Sequence, residues 1–217
     1  MRKLIIPILF LSVSCAGQTG KAGQTGPIDN FYFPIQNFFN ETTYCFVNQN
    51  DTTEKSYWKM KTTVLNKDTL LQTSIFDSND RITETMTEKV INGNSKIDSY
   101  ILYDYDQQVN KLYAVCKVVD SLVFKTNQTE GEQIQWKVNF KDYTTSNICE
   151  LSKIRKLKNQ NNNQKTFTDS MKFVVADTKQ GYEYSMTSVY QKNKGLISYK
   201  LVLPDGKVKD FVLTNVK

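Results

Sequence analysis

Apolar and polar residues alternate along much of the chain. The clearest run is 134–140, which reads Ile-Gln-Trp-Lys-Val-Asn-Phe. A period of two with one polar face is typical of a half-buried antiparallel strand. Runs of the same kind predict further strands over 58–64, 70–76, 97–105, 112–118, 182–190 and 197–203.

Turn-forming residues separate these runs. Asn92-Gly93-Asn94 suits a tight hairpin, Asp77 to Asp80 suits a turn, and Pro204-Asp205-Gly206 joins 196–203 to 207–216. No long helical pattern lies between the predicted strands. We therefore predict an all-β fold, a strongly curved antiparallel sheet that forms an open or half-closed barrel.

One segment fits two structures. Asn147 followed by Glu150 suits the start of a helix, and the apolar residues after it recur at helical spacing. The same residues suit a strand that enters the Asn-rich turn at 159–163. We favour the strand, and the alternative is a β-sandwich with one short helix near 147–158.

The N-terminus has the three parts of a secretory signal. Arg2 and Lys3 precede the apolar run 4–11, and small residues follow it. The run is about half of the roughly 20 residues that a membrane-spanning helix needs, and Pro7 interrupts it. We predict that residues 1–14 are a signal peptide.

Small residues directly before Cys15 resemble the lipobox of bacterial lipoproteins, although Leu11 lies four places before the cysteine instead of three. The resemblance implies cleavage before Cys15 and acylation of its thiol. The alternative is ordinary cleavage after Ala16. Because Ala16 is not Asp, we expect an exported protein anchored by acyl chains in the outer membrane and facing the periplasm.

Residues 15–27 follow as the predicted lipidated cysteine and a flexible tether. Ala-Gly-Gln-Thr-Gly occurs twice, at 16–20 and 22–26. A Gly-rich coil of this length spans on the order of 20 Å. Residues 28–217 are then a single β domain of ordinary size.

Composition excludes several functions. Without Arg2 and Lys3, 26 basic residues face 22 acidic ones, spread along the chain, so nucleic acid is not an expected partner. One basic cluster stands out and is interpreted as a solvated face: Lys153, Arg155, Lys156 and Lys158. Since the chain has no histidine, Ser-His and Cys-His catalysis and His-ligated metals are excluded. We predict no catalytic residue, metal or cofactor.

Three cysteines follow the predicted anchor: Cys45, Cys116 and Cys149. Their spacing contains no Cys-x-x-Cys pair, which argues against a redox or metal site. In an oxidising compartment two of the three form a disulfide, and the sequence does not choose the pair. By alternation, Cys116 lies on the same face as Val118, which we expect to be buried.

Short motifs carry a further resemblance. Phe33-Pro34-Ile35, the segment 165–172 and the Lys-Gly-Leu-Ile-Ser-Tyr at 194–199 resemble a loose family of uncharacterised bacterial envelope lipoproteins. The resemblance implies a bent antiparallel sheet similar to the half-barrel of lipoprotein carriers. It brings no catalytic residues.

Aromatic residues crowd the segment that enters the domain: Phe31, Tyr32, Phe33, Phe38 and Phe39. They line a cradle for an acyl chain or plug one end of the sheet, and we favour the plug.

Two acidic pairs, Asp77 with Asp80 and Asp104 with Asp106, suit turns and strand ends better than a cation site.

Asp followed by Ser or Thr recurs and resembles an O-glycosylation sequon of exported bacterial proteins. The acceptors would be Thr52, Thr69, Ser121 and Ser170.

These features favour a non-enzymatic envelope lipoprotein whose curved sheet binds an apolar ligand or a protein partner. A structural or docking component of an envelope assembly is the alternative. A carboxylate-based hydrolase is the third hypothesis, and it requires two acids that face one cleft.

Overall fold

The computed structural model describes residues 31–32, 38–66, 68–105, 110–142, 148–175 and 181–217, with the backbone alone at 104–105, 110–117, 119–120 and 142. Thirteen strands make up this part of the chain. They are β1 (Thr42–Asn48), β2 (Lys55–Leu65), β3 (Asp68–Phe76), β4 (Ile82–Ile91), β5 (Asn94–Tyr105), β6 (Asn110–Asp120), β7 (Leu122–Phe124), β8 (Gln133–Asp142), β9 (Ile148–Gln160), β10 (Gln164–Val175), β11 (Gly181–Gln191), β12 (Gly195–Val202) and β13 (Val208–Val216).

Twelve of the strands form the wall of a barrel. Each pairs antiparallel with its neighbours in the chain, except that β8 follows β6 and the three-residue β7 lies beside β5. The ring closes where β1 pairs with β13, from Tyr44 opposite Val216 to Asn48 opposite Phe211. The predicted curved antiparallel sheet is therefore confirmed.

Strand pairing is incomplete at one place in the wall, along one edge of β5. On the side of β5 that faces away from β4, Ile101 to Tyr105 pair with β6, whereas only Ser95 and Lys96 pair with β7. Between these two stretches, the amide of Ile97 donates to the carbonyl of Ser121 at 2.8 Å. The barrel is thus nearly closed.

The predicted turns lie where the sequence places them. Asn92 and Gly93 have φ angles of 51° and 76°, the left-handed pair that a two-residue hairpin requires. The amide of Gly206, with φ of 81°, donates to the carbonyl of Leu203 at 2.9 Å and closes the β12–β13 turn.

Residues 148–160 form β9, which resolves the two interpretations of this segment in favour of the strand. The described residues contain no α-helix. The alternative prediction of a sandwich with a helix near 147–158 is therefore wrong. Instead, β9 pairs along its length with β8 and β10.

The end of the barrel at which β1 begins is filled, and we call it the plugged end. Phe38 is fully buried there, and Tyr32 stacks on Phe124 with ring centroids 4.3 Å apart. The hydroxyl of Tyr44 donates to the carbonyl of Lys194 at 2.6 Å in the β11–β12 turn. The opposite end carries the turns at 49–54, 77–81 and 203–207.

Candidate functional site

A cavity of about 540 Å³ lies inside the barrel. It runs from Tyr32 at the plugged end to Thr83 and Tyr103, which stand near the opposite end. This volume lies within the range of about 300–1,000 Å³ that is typical of small-molecule sites. Its walls are mainly apolar and include Trp58, Ile75, Met86, Leu102, Leu151, Met171, Phe173, Met186 and Leu201.

Charged side chains interrupt this apolar wall on β9 and β10. In a strand every second residue faces the same side, so Lys153 and Arg155 face inward together with Leu151 and Leu157. Arg155 lies directly opposite Asp169 in the β9–β10 register, which places their side chains side by side. The sheet geometry thus brings two cations and a carboxylate together inside the barrel.

Asp169 binds both cations. Its Oδ1 and Oδ2 accept from Nε and Nη2 of Arg155 at 2.9 and 3.0 Å, a bidentate arrangement, and its Oδ2 also lies 2.8 Å from Nζ of Lys153. The side chain of Asp169 is fully buried, while those of Arg155 and Lys153 are 4% and 10% exposed. Nη1 of Arg155 donates to the carbonyl of Val123 at 3.3 Å. Three charges are therefore fixed in an interior of low polarity.

Burial and charge act in opposite directions on this group. Burial raises the pKa of Asp169, but Arg155 and Lys153 outweigh burial and hold the pKa at about 2. Burial lowers the pKa of Lys153, and Asp169 opposes that effect. Asp169 is consequently a carboxylate throughout the physiological pH range.

Two more carboxyl groups enter the interior from β4. The hydroxyl of Tyr100 donates to Oε1 of Glu84 at 2.8 Å, and that of Tyr32 donates to Oε1 of Glu88 at 2.7 Å. Burial raises the pKa of both glutamates above their ordinary value, against the effect of these hydrogen bonds. Burial also raises the pKa of Tyr32 and Tyr100 well above the usual range, so both hydroxyls keep their protons.

The charged groups differ in whether their side chains line the cavity. Lys153, Arg155 and Glu84 line it, whereas Asp169 and Glu88 lie behind its surface. Among the described residues, Glu84 is thus the acidic side chain of the cavity wall, facing two basic ones. The surface that a ligand would meet is charged at this one place and mainly apolar elsewhere.

The sequence-based interpretation of the basic cluster is wrong for two of its four members. Lys156 and Lys158 are exposed, as expected of a solvated face, but Lys153 and Arg155 are buried inside the barrel. Successive residues of a strand face opposite sides of the sheet. Lys153 and Arg155, at odd positions of β9, therefore face the interior, whereas Lys156 and Lys158, at even positions, face outward. Asp169, which directly precedes the predicted glycosylation site Ser170, is their counter-ion.

The aromatic entry segment is placed by its described members. Tyr32 and Phe38 are buried in the core, Phe31 packs against it, and Phe39 is 52% exposed. Phe33 lies outside the described residues. The plug, which was the favoured interpretation, is confirmed for Tyr32 and Phe38, and Tyr32 also forms the base of the cavity.

The acidic pairs take the structural role expected of them where the structure describes them. Oδ1 of Asp77 accepts from the amides of Asn79 and Arg81 at 2.9 and 3.0 Å, and Asp80 has a φ of 57°, so the pair forms the β3–β4 turn. Asp106 and the side chain of Asp104 lie outside the described part. In that part, no group of three or more Cys, Asp or Glu residues is placed to hold a metal ion.

Cys45 and Cys149 lie on strands that are far apart in the sheet, whereas Cys116 lies on β6, two strands from β9. Cys45 is half-buried on β1, Cys149 is buried in the core from β9, and the side chain of Cys116 is not among those described. The disulfide between two of them stays a prediction. Val118, expected on the buried face of β6, is 39% exposed. Register shifts at Val115/Lys117 and Val118/Asp120 interrupt the alternation there.

The proposed modification sites differ in exposure. Thr52 and Ser170 are exposed, Ser121 is half-buried and Thr69 is buried. Glycosylation stays a prediction at all four. Cys15, the signal peptide 1–14 and the tether 15–27 lie outside the described residues, as does most of the segment that joins the tether to β1. Within the described ranges, no helix is long and apolar enough to cross a bilayer.

No protein-family model matches the sequence, and no curated protein matches it. Two solved structures are similar in shape. One is a protein from Bacteroides fragilis described as a candidate exported protein with a YmcC-like fold, at 12% identity and a TM-score of 0.48 over 82% of this chain and 94% of that one. The other is a candidate lipoprotein from Parabacteroides distasonis, at 10% identity and a TM-score of 0.49 over 82% of this chain and 95% of that one.

Proposed function

We propose that this chain is an exported, non-enzymatic lipoprotein of the bacterial envelope, anchored through Cys15, whose barrel binds an apolar ligand. The observation that supports ligand binding is the cavity of about 540 Å³ between Tyr32 and the opposite end of the barrel. An apolar molecule that enters such a cavity is removed from water at a gain of about 25 cal/mol for each Å² of its surface. The signal-like N-terminus and Cys15 support the anchor and the periplasmic location.

Both tryptophans of the chain, Trp58 and Trp136, line the cavity. Ligand entry should therefore change the intrinsic fluorescence of the protein without any added label. The Cys15→Ala chain is suited to this measurement because it carries no acyl group on that residue. Titration with the neutral fluorophore N-phenyl-1-naphthylamine should quench tryptophan emission and enhance emission of the fluorophore, with saturation at one site.

A matched pair of variants separates the cavity from the outer wall. Met186→Trp places a larger side chain in the cavity wall and should weaken fluorophore binding by about tenfold, or about 1.4 kcal/mol, because the indole takes up space that the ligand needs. Ile154→Trp places the same side chain on the exposed outer face of β9 and should leave affinity unchanged. Equal affinities for both variants, with circular dichroism like that of the parent chain, would place binding elsewhere.

A further inference from the structure

The cavity is polarised along the barrel axis. On β9, Arg155 and Lys153 place charge near the middle of the strand, and Leu151, one step closer to the opposite end, is apolar. The neighbouring strand repeats this order, because Asp169 lies opposite Arg155, Met171 opposite Lys153 and Phe173 opposite Leu151. A ligand that lay between these charges and the opposite end of the barrel would meet charge at one of its ends and a mainly apolar wall along the rest.

Lys153 has free hydrogen-bond donors for the end of the ligand that meets these charges. Arg155 already donates three hydrogen bonds, two to Asp169 and one to the carbonyl of Val123, and its side chain is only 4% exposed, so a ligand reaches it less easily than Lys153. The ammonium group of Lys153 has three hydrogens and, among the described residues, one acceptor within hydrogen-bond distance, Oδ2 of Asp169 at 2.8 Å. Its side chain is 10% exposed and lines the cavity, so two donors remain for a ligand.

The charged residues that line the cavity favour a ligand with a negatively charged head group. Lys153 and Arg155 line the cavity, and Glu84, which already accepts a hydrogen bond from Tyr100, is the acid that faces them in the described chain. A cationic head would approach two cations that share the single carboxylate of Asp169. A neutral hydroxyl would accept a hydrogen bond from the ammonium but would bring no negative charge to it, whereas a carboxylate supplies both.

We propose, resting on the function proposed above, that the ligand is a single-chain amphiphile with a carboxylate head that enters head first. The carboxylate binds Nζ of Lys153, and the chain lies against Leu151, Met171, Phe173 and Met186 and points to the opposite end of the barrel. Arg155 and Asp169 position Lys153 and do not themselves bind the head.

The test compares three ligands of equal chain length, dodecanoate, 1-dodecanol and dodecylammonium. Each is used to displace N-phenyl-1-naphthylamine from the Cys15→Ala chain at neutral pH, where dodecanoate is ionised, and below its critical micelle concentration. Dodecanoate should bind most tightly and dodecylammonium least. Lys153→Met should weaken dodecanoate binding by about tenfold to a hundredfold, since a hydrogen bond to a charged group contributes about 1.5–3 kcal/mol, and should change dodecanol binding by less than about threefold.

Two further variants make the outcome specific. Lys156→Met removes a lysine from the exposed face of the same strand and should leave all three affinities unchanged. Lys153→Arg keeps the positive charge and should keep the preference for the acid. Lys153→Met leaves the bidentate pair of Arg155 and Asp169 in place, and its far-ultraviolet circular dichroism should match that of the parent chain.

The outcomes distinguish the two proposals. If neither the fluorophore nor any of the three amphiphiles binds, the proposed apolar ligand site is wrong. If the fluorophore and dodecanol bind but dodecanoate has no advantage, or if Lys153→Met weakens the acid and the alcohol equally, the site stands and the carboxylate head at Lys153 is wrong.

Discussion

Asp169 is the residue on which the interior charges depend. It is the one carboxylate within salt-bridge distance of Arg155 and Lys153 among the described residues, and both would lose that contact if it were removed. Removing one partner of a buried ion pair typically costs about 3–5 kcal/mol, because the remaining charge stays in a medium of low polarity.

Asp169→Asn should accordingly lower the free energy of unfolding by about 3–5 kcal/mol, measured by urea denaturation at neutral pH. Asp98→Asn, at an exposed position of β5, is the matched control and should change it by less than about 0.5 kcal/mol. A loss at Asp169 no larger than that at Asp98 would mean that the buried ion pair contributes nothing to stability.

Glu88 and Asp169 should make the free energy of unfolding depend on pH in opposite directions. Its pKa is raised above the ordinary value of 4.5 by burial, so between 4.5 and the raised value the folded chain binds more protons than the unfolded chain. Stability from this residue is present below 4.5 and is lost as pH rises through the folded pKa. Asp169, with a pKa of about 2, loses its contribution only as pH falls below its ordinary value of 3.8.

Glu88→Gln should therefore gain stability relative to the parent chain as pH rises from about 4.5 to 7, by about 1.4 kcal/mol for each unit by which the pKa of Glu88 is raised. Urea unfolding midpoints at a series of pH values measure the difference. Glu130→Gln, on the exposed β7–β8 loop, should show no such trend. A constant difference between Glu88→Gln and the parent chain would argue against a raised pKa.

At the scale of elements, the entry segment determines which end of the barrel is closed. Phe38 is fully buried and packs edge-on against Tyr44, with ring centroids 6.0 Å apart, whereas its neighbour Phe39 is 52% exposed. The two residues have the same chemistry and adjacent positions, so they separate the effect of the plug from that of local sequence.

Phe38→Ala should lower the free energy of unfolding by about 3–5 kcal/mol, as expected when a buried aromatic side chain leaves a cavity, and Phe39→Ala should lower it by less than about 1 kcal/mol. Thermal or urea unfolding of the two variants provides the comparison. Similar losses at both positions would contradict the plug.

The strands themselves are predictable from sequence because their outer faces are wet and their inner faces are largely apolar. The alternation at 134–140 corresponds to β8, and the hairpin around Pro204 corresponds to β12 and β13. Alternation fails where bulges shift the register, as on β6, since one extra residue moves every later side chain to the other face.

The interior charges could not be predicted in the same way. Lys153 and Arg155 share their parity with Leu151 and Leu157, and Asp169 shares its parity with Phe167 and Met171, which is the signal that places them inside. A charged residue on a strand ordinarily marks the wet face, however, and only the β9–β10 pairing brings Asp169 to Arg155. Ile154 is the converse case, because this apolar residue lies on the outer face of β9 and is 41% exposed.

At the scale of the whole molecule, the proposal joins a barrel that holds a ligand to a tether that keeps the barrel near a membrane. Cys15→Ala should abolish incorporation of labelled palmitate and release the protein from the membrane fraction, because several acyl chains at about 0.8 kcal/mol for each buried CH₂ provide the attachment. Cys45→Ala should leave both unchanged. Acyl label that persists on the Cys15→Ala chain would contradict the anchor.

The ligand itself is the central claim, and native mass spectrometry tests it most directly. The Cys15→Ala chain, purified from the periplasm without detergent, should carry one bound amphiphile that dissociates on denaturation, and Met186→Trp should reduce the occupied fraction. If the Cys15→Ala chain has only its bare mass, and takes up neither dodecanol nor dodecanoate when these ligands are added, the cavity does not bind an apolar ligand.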